Sequence, residues 1–217
     1  MLKRIKNNFW YCVSRFILMC LIGFCFRVRF FGKNNIPSPP YIVMSNHASI
    51  VDPALVGIAC GKDVIDFMAK KELFDRPFFG KWCRLVGCIE VKRGENNIRS
   101  IREVLLRIKN KHCVSMFPEG TRSADGNIQE AKRGSGFIIA KAGVPVVPIF
   151  IEGTSEALGK KKKMRFGCRI NVYVGKPVMP REFFPEAVER KNYEFLANMI
   201  MARIAHTKDN YMSVPVR

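Results

Sequence analysis

Acidic side chains are scarce in this chain of 217 residues. Asp and Glu number 18 against 37 Lys and Arg, a formal net charge of +19 at pH 7, and no carboxylate precedes Asp52. An excess of that size points to an anionic partner: nucleic acid, an acidic lipid surface or phosphorylated substrates. Histidine is scarcer still. Only His47, His112 and His206 occur, which argues against a His-rich metal site. The eight cysteines are scattered and form no Cys-x-x-Cys pair, so the zinc and dithiol redox spacings are absent. With 48% hydrophobic residues the chain can build a core without staples, and such cysteines fit a reducing compartment better than a disulfide framework. There is no Gly-x-Ser-x-Gly elbow, which disfavours a serine hydrolase of that type. No Gly-x-Gly-x-x-Gly follows a strand-like run. Gly153 to Lys160 misses the phosphate-binding loop by one residue, and Lys161 stands where Ser or Thr is required.

A long uninterrupted apolar run is also missing. Before Asp52 lie seven cations, Lys3, Arg4, Lys6, Arg15, Arg27, Arg29 and Lys33, with two apolar runs among them, Phe9 to Val13 and Phe16 to Phe26. The second run would extend about 16 Å as a helix, whereas a bilayer core takes roughly 20 residues. Joining the two runs puts Arg15 inside the span at a cost of about 2.5–3.5 kcal/mol. A signal peptide would need a small-x-small cleavage site after Phe26, and Arg27-Val28-Arg29 stands there instead. An ordinary buried helix, a true span and a helix lying in one leaflet remain open. Segment length and flanking cations favour the last, held at an anionic surface on the cytoplasmic face of a membrane.

The rest of the chain alternates between strand and helix signals. Strands are expected at 28–31, 41–44, 64–68, 89–91, 113–117, 144–151 and 170–174. Helices are expected at 53–60, 77–86, 97–109, 136–142 and, without a break, 185–205. The clearest helix carries an apolar stripe of Ile98, Ile101, Val104, Leu105 and Ile108, with Arg and Lys opposite. The runs 113–117 and 144–151 are apolar without alternation, as in strands buried on both faces. The expected fold is α/β: a mixed, largely parallel sheet flanked by helices, with an N-terminal membrane-associated helical segment. Residues 1–35 form that segment and 36–217 a single catalytic domain. Lys160 to Lys163 with Arg165 and Arg169 form a basic loop, either solvated or a patch for phosphate or a membrane surface.

Four blocks can carry chemistry. Asn46-His47 with Asp52 follows a strand. Five residues on an ideal helix turn through roughly 140° net, so His47 and Asp52 meet only if His47 precedes the first helical turn and Asp52 lies at or just inside it. Pro53 suits such a start. A carboxylate on Nδ1 would fix the tautomer and leave Nε2 as a general base; alternatively Asp52 merely caps the helix. Phe117-Pro118-Glu119-Gly120-Thr121-Arg122-Ser123 follows another strand and is either an anion pocket or a polar turn. Gly87-Cys88-Ile89 leads to Arg93. Val144-Pro145-Val146-Val147-Pro148 is an apolar strand with prolines, read physically as core or sheet edge.

In that order, the four blocks resemble the glycerophospholipid acyltransferases, specifically the 1-acylglycerol-3-phosphate acyltransferases. That family's pattern is Asn-His-x4-Asp, Gly-x-Ile-x3-Arg, Phe-Pro-Glu-Gly-Thr-Arg-Ser and Val-Pro-x-x-Pro. The resemblance is tight over about residues 41–150 and looser over the rest. It implies transfer of an acyl group from a thioester to the sn-2 hydroxyl of lysophosphatidic acid, giving phosphatidic acid. His47 would be the base and Asp52 its orienting partner. Asn46, Arg93, Glu119, Gly120, Thr121 and Arg122 would bind substrate, joined on a looser match by Lys70, Lys71 and Lys132. No metal or resident cofactor is implied; acyl-coenzyme A or acyl-carrier protein would be the co-substrate. The expected partners are lysophosphatidic acid, the acyl donor and an anionic membrane surface, without specific nucleic acid. Other readings stay open: glycerol 3-phosphate or another lysolipid as acceptor, a thioesterase using the same dyad on water, and a basic membrane- or nucleic-acid-binding module without catalysis.

Overall fold

The computed structural model describes residues 2–91 and 98–212. Helix α1 (Leu2–Cys25) leads into β1 (Arg27–Phe31) and a short 3-10 turn at Lys33–Asn35. There follow β2 (Ile42–Ser45), α2 (Asp52–Ala59), β3 (Ile65–Lys70), α3 (Lys71–Phe74), α4 (Pro77–Leu85), β4 (Ile89–Val91) and α5 (Ile98–Lys109). Then come β5 (Cys113–Met116), α6 (Arg133–Ala142), β6 (Val146–Glu152), α7 (Thr154–Leu158) and β7 (Arg169–Val174). Four helices close the fold: α8 (Pro180–Phe183), α9 (Pro185–Glu189), α10 (Tyr193–Ala205) and α11 (Asp209–Met212). The strands form one sheet in the order β1-β7-β6-β2-β5-β3-β4. Every neighbouring pair is parallel except β6 with β7, so the sheet is mixed and largely parallel.

Helices cover both faces because the central strands are apolar at consecutive positions. Tyr41 and Val43 point to a core shared with Tyr11 and Ile22 of α1 and Leu55 and Val56 of α2. Ile42 and Met44 point to the other core, shared with Val104 and Ile108 of α5, Ile138 and Ile139 of α6, and Ile200 and Ile204 of α10. Along the expected stripe of α5, Ile101 and Leu105 are half-buried, while Ile98 at the helix start lies exposed.

The parallel direction of β2, β3, β4, β5 and β6 decides where chemistry can occur. Their C-terminal ends lie along one edge of the sheet, and the segments leaving β2 and β5 there hold the blocks with His47 and Glu119, while the run 144–148 leads into the start of β6.

Some elements differ from expectation. The two apolar runs at the N-terminus form one continuous helix. Arg15 does not interrupt it, because its guanidinium turns onto the domain, donating to the carbonyls of Gly61 and Asp63 at the end of α2 and lying over the Tyr11 ring. Trp82 Nε1 of α4 donates to Ser14 Oγ at 2.9 Å. One face of α1 is thus fastened to the domain, and its opposite face, with Phe9, Phe16, Ile17, Leu21 and Phe24, is exposed. Residues 27–31 are an edge strand of the same sheet, so the segment expected as 1–35 supplies both a helix and a strand. The expected single helix 185–205 is broken: Lys191 adopts φ 55°, and Asn192 caps α10 by accepting from the Phe195 N–H at 3.2 Å. Helix α6 begins at Arg133, so the run 136–142 continues a helix and ends at Gly143 as its sequence indicates.

Gly136 lets α6 and α10 meet backbone to backbone. A Cβ there would fall 1.7 Å from the Tyr193 carbonyl oxygen. Gly136→Ala is therefore expected to destabilise the fold by at least about 2 kcal/mol, despite alanine's better helix propensity. The midpoint of urea unfolding checks this, and an unchanged or raised midpoint would contradict the packing.

Candidate active site

The loop leaving β2 is organised by one buried carboxylate. Asp52 is the first residue of α2 and fully buried. Its Oδ2 accepts from the main-chain N–H of Ala48 at 2.7 Å and of Ser49 at 2.7 Å, and lies 2.8 Å from Nδ1 of His47. The carboxylate reaches backward over the loop; it does not cap the helix, whose N-cap residue is Val51. A carboxylate in this setting is an acceptor, so Nδ1 carries the proton and Nε2 is left with its lone pair. His47 thus precedes the first turn and Asp52 lies just inside it.

The imidazole is held from a second side. The Phe117 ring stacks on it with centroids 4.0 Å apart and planes 17° off parallel. Two further bonds tie the His47 main chain to the loop after β5. Its N–H donates to Glu119 Oε1 at 2.9 Å, and its carbonyl accepts from the Ser123 N–H at 2.7 Å. The side chain of His47 is 17% exposed, so the ring is reachable from outside.

Asn46 and Glu119 both bond to main-chain groups of the protein. The Asn46 amide donates to the Ile151 carbonyl at 2.8 Å and accepts from the Ile151 N–H at 2.7 Å, bracing the β2 loop on β6. Glu119 is 1% exposed and leaves Oε2 without a partner, as Asp52 leaves Oδ1. Burial pushes the Glu119 carboxyl up to about 7. The N–H groups of His47 and Gln129 oppose the shift, and the nearby Asp52 charge adds to it.

The remaining expected residues gather on the same edge. Gly120 has φ +69°, a conformation that suits glycine, and a Cβ there would lie 3.3 Å from Lys132 Cγ. Lys132 is exposed, and its N–H bonds the Pro118 carbonyl at 2.8 Å, which holds it beside the turn. Thr121 and Arg122 are half-buried in that turn. Lys70 ends β3 and Lys71 begins α3, both exposed, with β3 next to β5 in the sheet. Arg93 lies outside the described residues. No group of His, Cys, Asp and Glu able to hold a metal ion occurs among the described residues.

Three contributors stand outside the set that sequence reasoning selects. Phe117 enters there only as part of a motif, not as a ring for His47. Ser49, whose hydroxyl donates to the Leu158 carbonyl at 2.5 Å, and Lys160, whose Nζ lies 3.5 Å from the Arg122 carbonyl, join the 158–160 segment to the site. The position of Phe117 at a strand exit is a usable signal; the other two contacts have none.

The ends of β2 and β5 thus bring a His–Asp pair and an Arg-bearing turn together on one edge of a largely parallel sheet. Residues 27–152, more than half of the chain, match the Acyltransferase family, and the chain belongs to it. It is 30% identical over 159 residues to the chloroplast 1-acyl-sn-glycerol-3-phosphate acyltransferase of Arabidopsis thaliana, covering 70% of this chain and 44% of that protein. It is 28% identical over 159 residues to the 1-acyl-sn-glycerol-3-phosphate acyltransferase of Bacillus subtilis, covering 72% and 76%. Among solved structures it resembles the 1-acyl-sn-glycerophosphate acyltransferase PlsC of Thermotoga maritima, with TM-score 0.69 and 28% identity over 92% of this chain and 78% of that one. The chain spans about half the length of the plant relatives it matches.

Because Glu119 titrates higher when folded, the native state keeps a proton that the unfolded chain gives up above the usual carboxylate range. Its contribution to stability is complete below about 4.5 and is lost as pH rises through about 7. Glu119→Gln should remove that loss. Between pH 4.5 and 8 the difference in unfolding free energy should move in favour of the variant, by at most about 3 kcal/mol at 1.36 kcal/mol per unit. Parallel denaturation curves check it; a constant difference across that range would place the proton elsewhere.

Proposed function

We propose that this chain transfers a fatty acyl group from an acyl thioester to the sn-2 hydroxyl of lysophosphatidic acid, forming phosphatidic acid for phospholipid synthesis. The observation that carries the reading is the Asp52–His47 contact of 2.8 Å, which leaves Nε2 as the basic nitrogen at an accessible strand end. The names of the relatives support the acceptor and the reaction. Acyl-coenzyme A or acyl-carrier protein serves as donor, and no resident cofactor is needed.

A thioester is already activated, so the protein need not form a covalent acyl intermediate. Nε2 of His47 removes the hydroxyl proton as the oxygen attacks the thioester carbonyl. The C–O bond forms, the tetrahedral intermediate collapses, and the C–S bond breaks. The imidazolium then returns its proton to the departing thiolate. Asp52 holds the ring in the right tautomer and stabilises its transient charge. Phe117 restricts the tilt of the ring. Arg122 offers a planar fork for the phosphate of the acceptor, and Arg93, Lys70, Lys71 and Lys132 add positive charge around it. Gripping the phosphate aims the hydroxyl, which makes the reaction effectively unimolecular. Asn46 and Glu119 act through the loops they brace, as positioning residues. Helix α1 lies in the cytoplasmic leaflet along its exposed apolar face, so the lipid substrates reach the site from the membrane. Asn8–Cys25 is long and apolar enough to cross a bilayer, but the fastening of Arg15 and Ser14 to the domain favours a helix lying flat.

The test is an acyl-transfer assay in mixed micelles offering lysophosphatidic acid, glycerol 3-phosphate or no acceptor, with coenzyme A and carrier-protein thioesters in parallel. Phosphatidic acid should form from lysophosphatidic acid only; transfer to glycerol 3-phosphate instead, or thioester hydrolysis without acceptor, would overturn the reading. His47→Ala should lower the rate by about 10²–10⁴-fold with its circular dichroism unchanged, and a variant keeping a tenth of the rate would remove His47 from the base role. Arg122→Ala should chiefly raise the KM for the acceptor, by about tenfold or more; an effect confined to the acyl donor would contradict its place on the phosphate.

A further inference from the structure

The segment from Gly159 to Gly167 has no part in the chemistry at His47, yet it is built to a pattern. Lys160, Lys161, Lys162, Lys163 and Arg165 are interleaved at its end with Met164 and Phe166. Met164 is 42% and Phe166 65% exposed. Between residues 152 and 169 there are six cations and two carboxylates. One carboxylate, Glu152, is already paired with Lys208; the other, Glu156, lines a shallow hollow with Arg165 and Arg169. No ion pair among the described residues engages Lys161 or Lys163.

The loop is fastened at both ends. Gly159 bridges Ser49, two residues from His47, and Lys160 Nζ meets the Arg122 carbonyl at 3.5 Å. In the middle the Arg165 N–H donates to the Ala157 carbonyl at 2.9 Å. At the far end the Gly167 N–H donates to the Cys25 carbonyl at 2.8 Å, beside Phe24, which is 88% exposed at the tip of α1. The loop therefore runs from the rim of the site to the end of the exposed apolar face of α1.

We infer that this loop is a second contact with an anionic bilayer, with Phe166 and Met164 entering the acyl boundary and Lys161, Lys163 and Arg165 resting on lipid phosphates. Cations alone would serve any acidic partner. The exposed Phe and Met, on a segment bonded to the end of α1 next to Phe24, select a lipid surface, since such side chains gain from leaving water and the cations gain from an acidic headgroup layer. Two contacts, α1 and the loop, then flank the His47 edge and turn it toward the membrane. This inference rests on the proposed placement of α1 in a leaflet and extends it.

The test uses the whole chain and needs no catalysis. Phe166→Trp is mixed with phosphatidylcholine vesicles, with and without phosphatidylglycerol, whose acyl chains carry bromine. Quenching beyond that of the parent chain, which reports Trp10 and Trp82, is the readout. Added quenching is expected on the anionic vesicles. Adding Lys161→Ala, Lys163→Ala and Arg165→Ala together should abolish it and weaken partition at least about tenfold. The inference is overturned if the Phe166→Trp chain shows no added quenching while it sediments with the vesicles, because α1 alone then holds it. It is overturned as well if an acidic carrier protein, and not the vesicles, shields the introduced indole. A chain inert in acyl transfer but quenched at position 166 would support the loop contact while refuting the proposed reaction.

Discussion

One buried oxygen organises the site. Asp52 Oδ2 gathers three donors, the N–H groups of Ala48 and Ser49 and Nδ1 of His47. A carboxylate taken fully out of water is costly unless donors compensate it, and here all three converge on Oδ2 while Oδ1 has none. The loop after β2 is therefore folded around the carboxylate, chiefly through the two main-chain N–H groups, and the imidazole docks on the same oxygen. Orientation of the proposed base follows from the same bonds that make the loop stable.

This arrangement is rigid because it is carried on the sheet. The Asn46 amide locks the loop to Ile151 on β6, while Glu119 and Ser123 lock His47 to the segment after β5. Strands β6, β2 and β5 are neighbours. The ring is thus referenced to three parallel strands at the centre of the sheet, and the Arg122 turn shares the same frame. The separation of the His47 ring from the Arg122 turn follows the spacing of β2 and β5.

Much of this is legible in the sequence because strand and helix periods differ. The unalternating runs 113–117 and 144–151 mark central strands, and the apolar runs 41–44 and 113–117 place the blocks after them at strand ends. The His47–Asp52 contact is legible only conditionally: five residues cannot share a helical face, so Pro53 has to mark the start of the helix. Other features are hidden. The break at Lys191–Asn192 is masked by apolar residues continuing on both sides. Helix α7 is too short for a periodic signal. Arg15 looks like a charge lost in lipid, because nothing local announces the carbonyls of Gly61 and Asp63 that receive it. Glu119 has the look of a ligand, since its anchoring bond goes to a residue 72 positions earlier in the chain.

The pairing of β1 with β7 has a consequence for biosynthesis. β1 directly follows α1, yet its partner in the sheet begins at Arg169. On a ribosome, α1 and β1 are complete long before β7 exists, and the seat for this end of the molecule is finished only when most of the chain has been made. Throughout that interval the apolar side of α1, destined to stay uncovered by protein, has no folded domain beside it. A nascent chain of this design therefore carries α1 as an unsupported amphiphile until the late arrival of β7 closes the sheet.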